Sequence, residues 1–183
     1  MVIIGLGNPG EKFEKTKHNA GFMAVDFFVK KNQLSGFEMQ KKLLSEISKN
    51  KNVILAKPQT FMNKSGEAAK KVMVFYKLKN KDLLLINDDS DLPLGKIKFS
   101  KGSGSGGHKG VDSVIKNLKK NDFARLRIGI GNPKKHIPAE KIVLQKLSKD
   151  EEKIMKKTIS KVCEAMDYYI KEGLEKTMNI YNR

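Results

Sequence analysis

The chain has 183 residues, 39% hydrophobic and 31% charged, which is enough apolar side chain for one core and too much for a disordered segment. Its one cysteine, Cys163, rules out an internal disulfide and fits a reducing cytoplasm, and no apolar run approaches a membrane span. The net charge of +17 points to a polyanionic partner such as nucleic acid; but Arg occurs only at 125, 127 and 183, and scattered lysines supply the rest, so compositional bias is the competing reading.

Val2, Ile3 and Ile4 read as a buried strand, with no basic region or long apolar stretch of a secretory leader before them. Gly5, Gly7 and Gly10, with Asn8-Pro9 between them, end that strand in a tight turn. A polar loop with His18 and Asn19 follows, then an amphipathic segment over residues 20–31, on a helix that runs to about Gln33 and that Asn19 is placed to cap. Phe27 and Phe28 on that helix read as core. Polar groups where a strand ends and a helix begins mark the rim of an α/β sheet, the usual ligand site. The glycines also satisfy G-x-G-x-x-G, the dinucleotide fingerprint. That fingerprint needs a helix at once and an acid at the end of the next strand. Here residues 11–15 intervene, the next strand runs into Lys57-Pro58-Gln59, and Asp26 falls inside the helical pattern. The dinucleotide reading therefore stands last.

Residues 34–40 read as a connection. Residues 43–47 and 53–56 read as a hairpin with a polar tip, closed by Pro58. The next rim loop, 58–66, carries Asn63 beside Phe61 and Met62, which suit a pocket wall. Ser65 is the candidate cap for a helix over 67–77. Residues 82–86 read as a central strand, buried on both faces, that ends in a loop over 87–93. Asp88, Asp89 and Asp91 in that loop suit a Mg²⁺ site, a charge relay or a solvated acidic turn. Residues 96–100 alternate as a strand. The Gly-rich segment 101–110 then precedes a helix marked by Val111, Val114, Ile115 and Leu118. Inside one domain such a segment reads as a mobile functional loop, whose amides, with His108 and Lys109, suit a phosphate.

Residues 123–131 form the last strand, and alternation puts Arg125 and Arg127 on one face. That pair suits a bidentate grip on phosphate or carboxylate, or a salt bridge to Asp122 or Asp91. A basic loop over 132–138, with His136 in solvent, leads to a short helix over 139–147. Ser148 to Glu151 is a capping box, opening a long helix to Glu172 that Gly173 stops. Cys163 lies on its apolar face as a packed thiol. The fold class expected is α/β: a single domain over 1–183, a mixed twisted β-sheet with helices on both faces.

The rim residues have a direct chemical reading. A neutral imidazole, His18, takes a proton from water, and a carboxylate, Asp88, fixes its tautomer and stabilises the imidazolium. The amides of Asn8 and Asn63 orient a scissile carbonyl or its oxyanion. No nucleophile-elbow Ser, reactive Cys or zinc-ligand spacing competes, so a metal-free hydrolase of a polyanionic substrate is expected, with water as nucleophile.

Five ordered motifs then match a known family: GLGNPG with KHNAGF, KPQTFMNKSG, DDSDLPLGKIKF, GSGSGGHKG and RLRIGIGNP. Over nearly its full length the chain resembles the bacterial peptidyl-tRNA hydrolases. The resemblance implies cleavage of the ester joining a stalled peptide to the tRNA 3′ ribose, by a cytoplasmic monomer without metal or other cofactor. It implies His18 as general base and Asp88 as its orienting acid. Asn8 and Asn63 become positioners of the peptidyl group, with Phe61 and Met62 at the pocket and His108 in the loop over it. Phe13 stands where the family usually has Tyr, near the tRNA end, and keeps stacking without the phenol. Lys109 stands where the family usually has a substrate-holding Asn, and offers a phosphate contact instead. Arg127, Lys101, Lys134 and Lys135 would serve the tRNA phosphates. The alternative is a non-catalytic RNA-binding protein on the same scaffold, since relatives of the family have become splicing factors.

Overall fold

The protein is described from a computed structural model, which covers residues 1–132 and 138–183. Its strands are β1 (Val2–Gly5), β2 (Glu38–Gln40), β3 (Ser45–Lys49), β4 (Ile54–Pro58), β5 (Leu83–Pro93), β6 (Ile97–Lys101) and β7 (Ala124–Gly131). Among the described residues they form one sheet in the order β2-β3-β4-β1-β5-β7-β6. The middle pairs, β4–β1, β1–β5 and β5–β7, are parallel; β2–β3, β3–β4 and β6–β7 are antiparallel. The sheet is mixed, as expected.

Alternation along the central strands divides the core in two. Ile3, Leu84 and Ile86 face α1 (Ala20–Lys31) and α5 (Lys149–Glu172). Val2, Ile4, Leu83 and Leu85 face α2 (Ser65–Phe75) and α3 (Lys109–Leu118). Phe28 and Cys163 are buried in the first layer, and burial pushes the Cys163 thiol up to about 12. The first helix begins at Ala20 as expected but ends at Lys31, short of Gln33, whose backbone turns to φ 50°. Its close seat on β1 depends on paired glycines: a Cβ on Gly5 would lie 2.4 Å from the carbonyl oxygen of Gly21.

Several expected boundaries move, each for a tertiary reason. The acidic stretch 87–93 is strand rather than loop, because β7 continues beside it and supplies a ladder as far as Gly131. The register shifts between Asp89 and Pro93, and only glycine fits opposite: a Cβ on Gly129 would lie 2.1 Å from the Pro93 oxygen. Residues 38–40 pair as a short edge strand where a plain connection was expected. Lys41–Leu43 makes a 3-10 turn, so β3 starts late, at Ser45. Ser65 is the first residue of α2, not its cap; the 3-10 turn Met62–Lys64 leads straight into the helix. The helix expected over 139–147 stops early as α4 (Ala139–Val143), because the backbone at 145–147 bonds to residues 15–17 instead.

Sequence reasoning missed α6 (Leu174–Tyr181), which follows α5 after Gly173 turns the chain at φ 79°. Leu174, Met178 and Tyr181 on it pack against the first layer. Just beyond, the Asn182 side chain joins the outer strand: its Oδ1 accepts from the Phe99 amide at 2.7 Å, and its Nδ2 donates to the Phe99 carbonyl at 3.0 Å.

Candidate active site

β1 ends at Gly5, opposite Ile86, while β5 runs on. Asp88 therefore emerges two residues past its neighbour, at the carboxyl end of the parallel strands, where open α/β sheets bind ligands. The loop after β1 returns over this point. It carries His18 in the buried 3-10 turn Lys17–Asn19, directly before α1.

The Nδ1 atom of His18 lies 2.8 Å from Asp88 Oδ1. The same oxygen lies 2.9 Å from Nε2 of His108. The two rings are 4.8 Å apart and tilted by 44°. His108 is also the cap of α3: its Nδ1 accepts from the amides of Gly110 at 3.1 Å and Val111 at 3.3 Å. An acceptor at Nδ1 puts the His108 proton on Nε2, which donates to Asp88; the hydrogen-bond network assigns this tautomer. For His18 the contact leaves the proton on Nδ1 and the lone pair on Nε2.

Asp88 is buried, which by itself would raise its carboxyl pKa. Attraction to His108 and to His18 in their protonated forms, with the hydrogen bond each donates, outweighs burial and holds the acid well below the usual carboxylate range. It is an anion at neutral pH. His18, Asp88 and His108 also bring three potential metal-ligand atoms within 4.8 Å of one another. The hydrogen bonds argue for a different arrangement. Both nitrogens facing Asp88 carry protons, and the His108 lone pair is taken by helix amides, so these atoms form a donor–acceptor–donor set. Asp89 and Asp91 do not join it. Asp89 pairs with Arg127 at 2.5 Å, and Asp91 is exposed, so the acidic stretch makes no carboxylate cluster.

Asn8 is positioned from two sides. Its backbone exchanges two bonds with the Asn19 side chain, Asn8 N to Oδ1 at 2.8 Å and Nδ2 to Asn8 O at 3.0 Å. Its own Oδ1 accepts from the Met62 amide at 2.8 Å, which leaves Nδ2 as the donor end. Asn19 stands at the start of α1 as expected, but its side chain clamps Asn8 rather than capping the helix. Met62 is buried, whereas Phe61 and Asn63 are exposed. Phe61 meets Phe13 edge to face, centroids 6.4 Å apart.

Asn8, His18, Phe61, Met62, Asn63, Asp88, His108 and Lys109 all line one cleft of about 520 Å³, within the range of ligand sites. The Gly-rich segment lines it too, through Ser105, Gly106 and Gly107, and α4 closes a wall with Glu140 and Val143. Lys109 bonds Glu140 across that wall at 2.9 Å. Asn87, which sequence reasoning passed over, lines the cleft beside Asp88. Its Nδ2 donates to the Asp88 carbonyl at 2.6 Å, so its buried Oδ1 is fixed as an acceptor, and it has no partner among the described residues.

The expected cationic residues are less uniform. Arg125 and Arg127 share a face, as alternation predicted, but their partners are neither Asp122 nor Asp91. Arg127 holds Asp89, and buried Arg125 reaches the Ser103 hydroxyl at 2.5 Å. Burial, then the neighbouring Arg127, lowers the Arg125 pKa. Lys101 is exposed at the end of β6. Lys134, Lys135 and His136 lie outside the described residues.

Residues 2–183 match the family model described as peptidyl-tRNA hydrolase. A peptidyl-tRNA hydrolase of Thermodesulfovibrio yellowstonii is 45% identical over 187 aligned positions, covering 100% of this chain and 99% of that one. One from Aquifex aeolicus is 43% identical, covering 100% and 96%. The crystal structure of peptidyl-tRNA hydrolase from Acinetobacter baumannii superimposes with a TM-score of 0.89 at 30% identity, covering 97% of this chain and 92% of that one. The order of strands, the rim position of the cleft and the likeness along the whole chain converge: this chain belongs to the peptidyl-tRNA hydrolase family.

Proposed function

We propose that this chain hydrolyses the ester between a peptide and the 3′ ribose of tRNA, with His18 as general base. The observation that carries the reading is the 2.8 Å contact between His18 Nδ1 and buried Asp88, which leaves Nε2 as the basic nitrogen. A water in the cleft gives a proton to Nε2 as its oxygen attacks the ester carbonyl. Asp88 holds the tautomer and stabilises the imidazolium; such base catalysis contributes ~10²–10⁴-fold. The Nδ2 group of Asn8 donates to the oxyanion, Asn63 of the same cleft helps to position the peptidyl group, and an oxyanion donor contributes ~10²–10³-fold. As the tetrahedral intermediate collapses, the ribose 3′ oxygen leaves and takes the proton back from His18. The products are a peptide acid and free tRNA.

Phe61, Met62 and Phe13 give the peptidyl group and the terminal nucleotide apolar surface, and Lys109 and His108 stand beside it. Lys101, Arg127, Lys134 and Lys135 serve the tRNA phosphates, in keeping with a net charge of +17. Affinity for tRNA should then fall steeply as salt rises, through counterion release. A monomer and a cytoplasmic setting go with this reading, the latter suiting the single cysteine. Among the described residues no helix is long and apolar enough to cross a membrane.

The test is release of N-blocked amino acid from tRNA by the wild type and by His18→Ala. The variant should bind tRNA with near wild-type affinity and lose turnover. Retention of most of the rate would remove His18 from the role. A purely RNA-binding reading is disfavoured by the intact base–acid pair, and the same assay decides it, since a binder would leave the ester uncleaved.

A further inference from the structure

The residue before the general base is a lysine with no room in solvent. The Lys17 side chain is only 7% exposed, and its Nζ lies 2.5 Å from Glu151 Oε1, 134 positions along the chain. Glu151 is itself fixed. Its Oε2 accepts from the Ser148 amide at 2.9 Å, and its own amide donates to Ser148 Oγ, the capping box that starts α5. One carboxylate thus ties the first turn of α5 to the residue preceding His18.

The backbone repeats the tie. Lys17 N donates to the Gln145 carbonyl at 3.0 Å, and Leu147 N to the Lys15 carbonyl at 3.1 Å, on either side of an antiparallel bridge between Thr16 and Lys146. The chain joining α4 to α5 is therefore a two-residue-wide ladder against the loop that carries the base. That connection continues directly from α4, whose Glu140 and Val143, with Leu144, form a wall of the cleft. On its other side His18 is followed by Asn19, locked to Asn8. The His18 ring thus meets Asp88, while its two chain neighbours are each tied elsewhere, Lys17 to Glu151 and Asn19 to Asn8.

We propose that Lys17 and Glu151 are positioning residues for the hydrolysis: their ion pair fixes the turn Lys17–Asn19 so that the His18 ring meets Asp88 and presents Nε2 to the ester. The inference rests on the reading of His18 as general base. Replacing Lys17 by Met keeps a side chain of similar length but leaves Glu151 without its partner, a cost that the 30% exposure of Glu151 and its bond from the Ser148 amide reduce. What it removes is a point restraint, and a misplacement of ~1 Å in a reacting group costs up to ~10²-fold in rate.

The experiment uses the full chain with Lys17→Met, Glu151→Gln and Lys17→Arg, and with Lys15→Met as control. Among the described residues the Lys15 side chain makes one long, exposed contact, to Glu152 at 3.9 Å. Two readouts are taken on each folded protein: kcat and KM for N-blocked aminoacyl-tRNA, and the downfield proton resonance of His18 Nδ1–H, assigned by its loss in His18→Ala. The expected result is a fall in kcat of about tenfold or more for Lys17→Met and Glu151→Gln with KM within about twofold. The resonance should broaden or vanish with it, while Lys17→Arg and Lys15→Met keep both. Glu151→Gln retains an acceptor for Ser148, so it reports on the pair even if Lys17→Met fails to fold. Unchanged kcat and resonance in the folded variants overturn the proposal, as does a fall in kcat with the resonance intact. Loss of the resonance with kcat unchanged keeps the pair as positioner of the ring and overturns the role of the ring as base.

Discussion

Two imidazoles share one oxygen of Asp88, and they differ in what the far nitrogen does. His108 gives its Nδ1 to the amides of Gly110 and Val111, so it is held as a donor to Asp88 and as a helix cap. His18 gives its Nδ1 proton to Asp88 and keeps Nε2 uncommitted to the helix amides. On the proposed reading the same side chain, at nearly the same distance from the same acid, acts as scaffold in one case and as base in the other. Role follows from the second hydrogen bond, not from the first.

That contrast can be broken most severely at His18. His18→Ala should lower kcat by about 10³–10⁴-fold in the ester assay. Asp88→Asn comes next, at about 10²–10³-fold, because an amide can donate to Nδ1 and so put the proton on the wrong nitrogen. His108→Ala should be milder, about tenfold in kcat, the kinetic equivalent of one hydrogen bond to a charged acceptor. It should also cost ~1 kcal/mol of stability by urea unfolding, from the lost cap. A larger rate effect at His108 than at His18 would reverse the assignment.

A pH series sharpens the same contrast. The Asp88 pKa is lower folded than unfolded, so the unfolded chain binds more protons in the acid range. The stability Asp88 contributes is then fully present above the unfolded carboxylate range, around pH 4, and is lost as pH falls through the folded value. Urea midpoints should show an acid-side loss in the wild type that is smaller in Asp88→Asn. The smallest effect is expected at Glu140→Gln. Its bond to Lys109 joins two exposed side chains, so the unfolding midpoint should not move, and any change in KM should fade as salt rises.

What the sequence disclosed was local. The apolar run of β1, the helix over 20–31, the capping box at Ser148 and the shared face of Arg125 and Arg127 each follow from spacing within a few residues. His18, Asp88, Asn8 and Asn63 stood out because they fall where strands end, and the motif resemblance joined them. The bonds that decide their roles run between distant segments. Nothing near Asn19 distinguishes a helix cap from a clamp on Asn8, since both use a side-chain oxygen at the start of α1. Nothing near His108 announces a second bond to Asp88. Lys17 reads as one lysine among many until Glu151 is folded against it. The acidic run 87–93 looked like a loop because its ladder partner is β7, some forty positions away.

The sheet's outer margins carry one last implication. A bare margin strand offers a row of peptide groups to any other extended chain. At β6 the primary amide of Asn182 satisfies both groups of Phe99 and imitates one residue of an eighth strand. At the opposite margin β2 is only three residues long, with Glu38 and Gln40 in solvent. A peptidyl-tRNA hydrolase, whose substrate carries a peptide, has good reason to deny extended chains a template. Replacing Asn182 with Leu should leave the cleft untouched and make the protein more prone to co-aggregate with extended peptides.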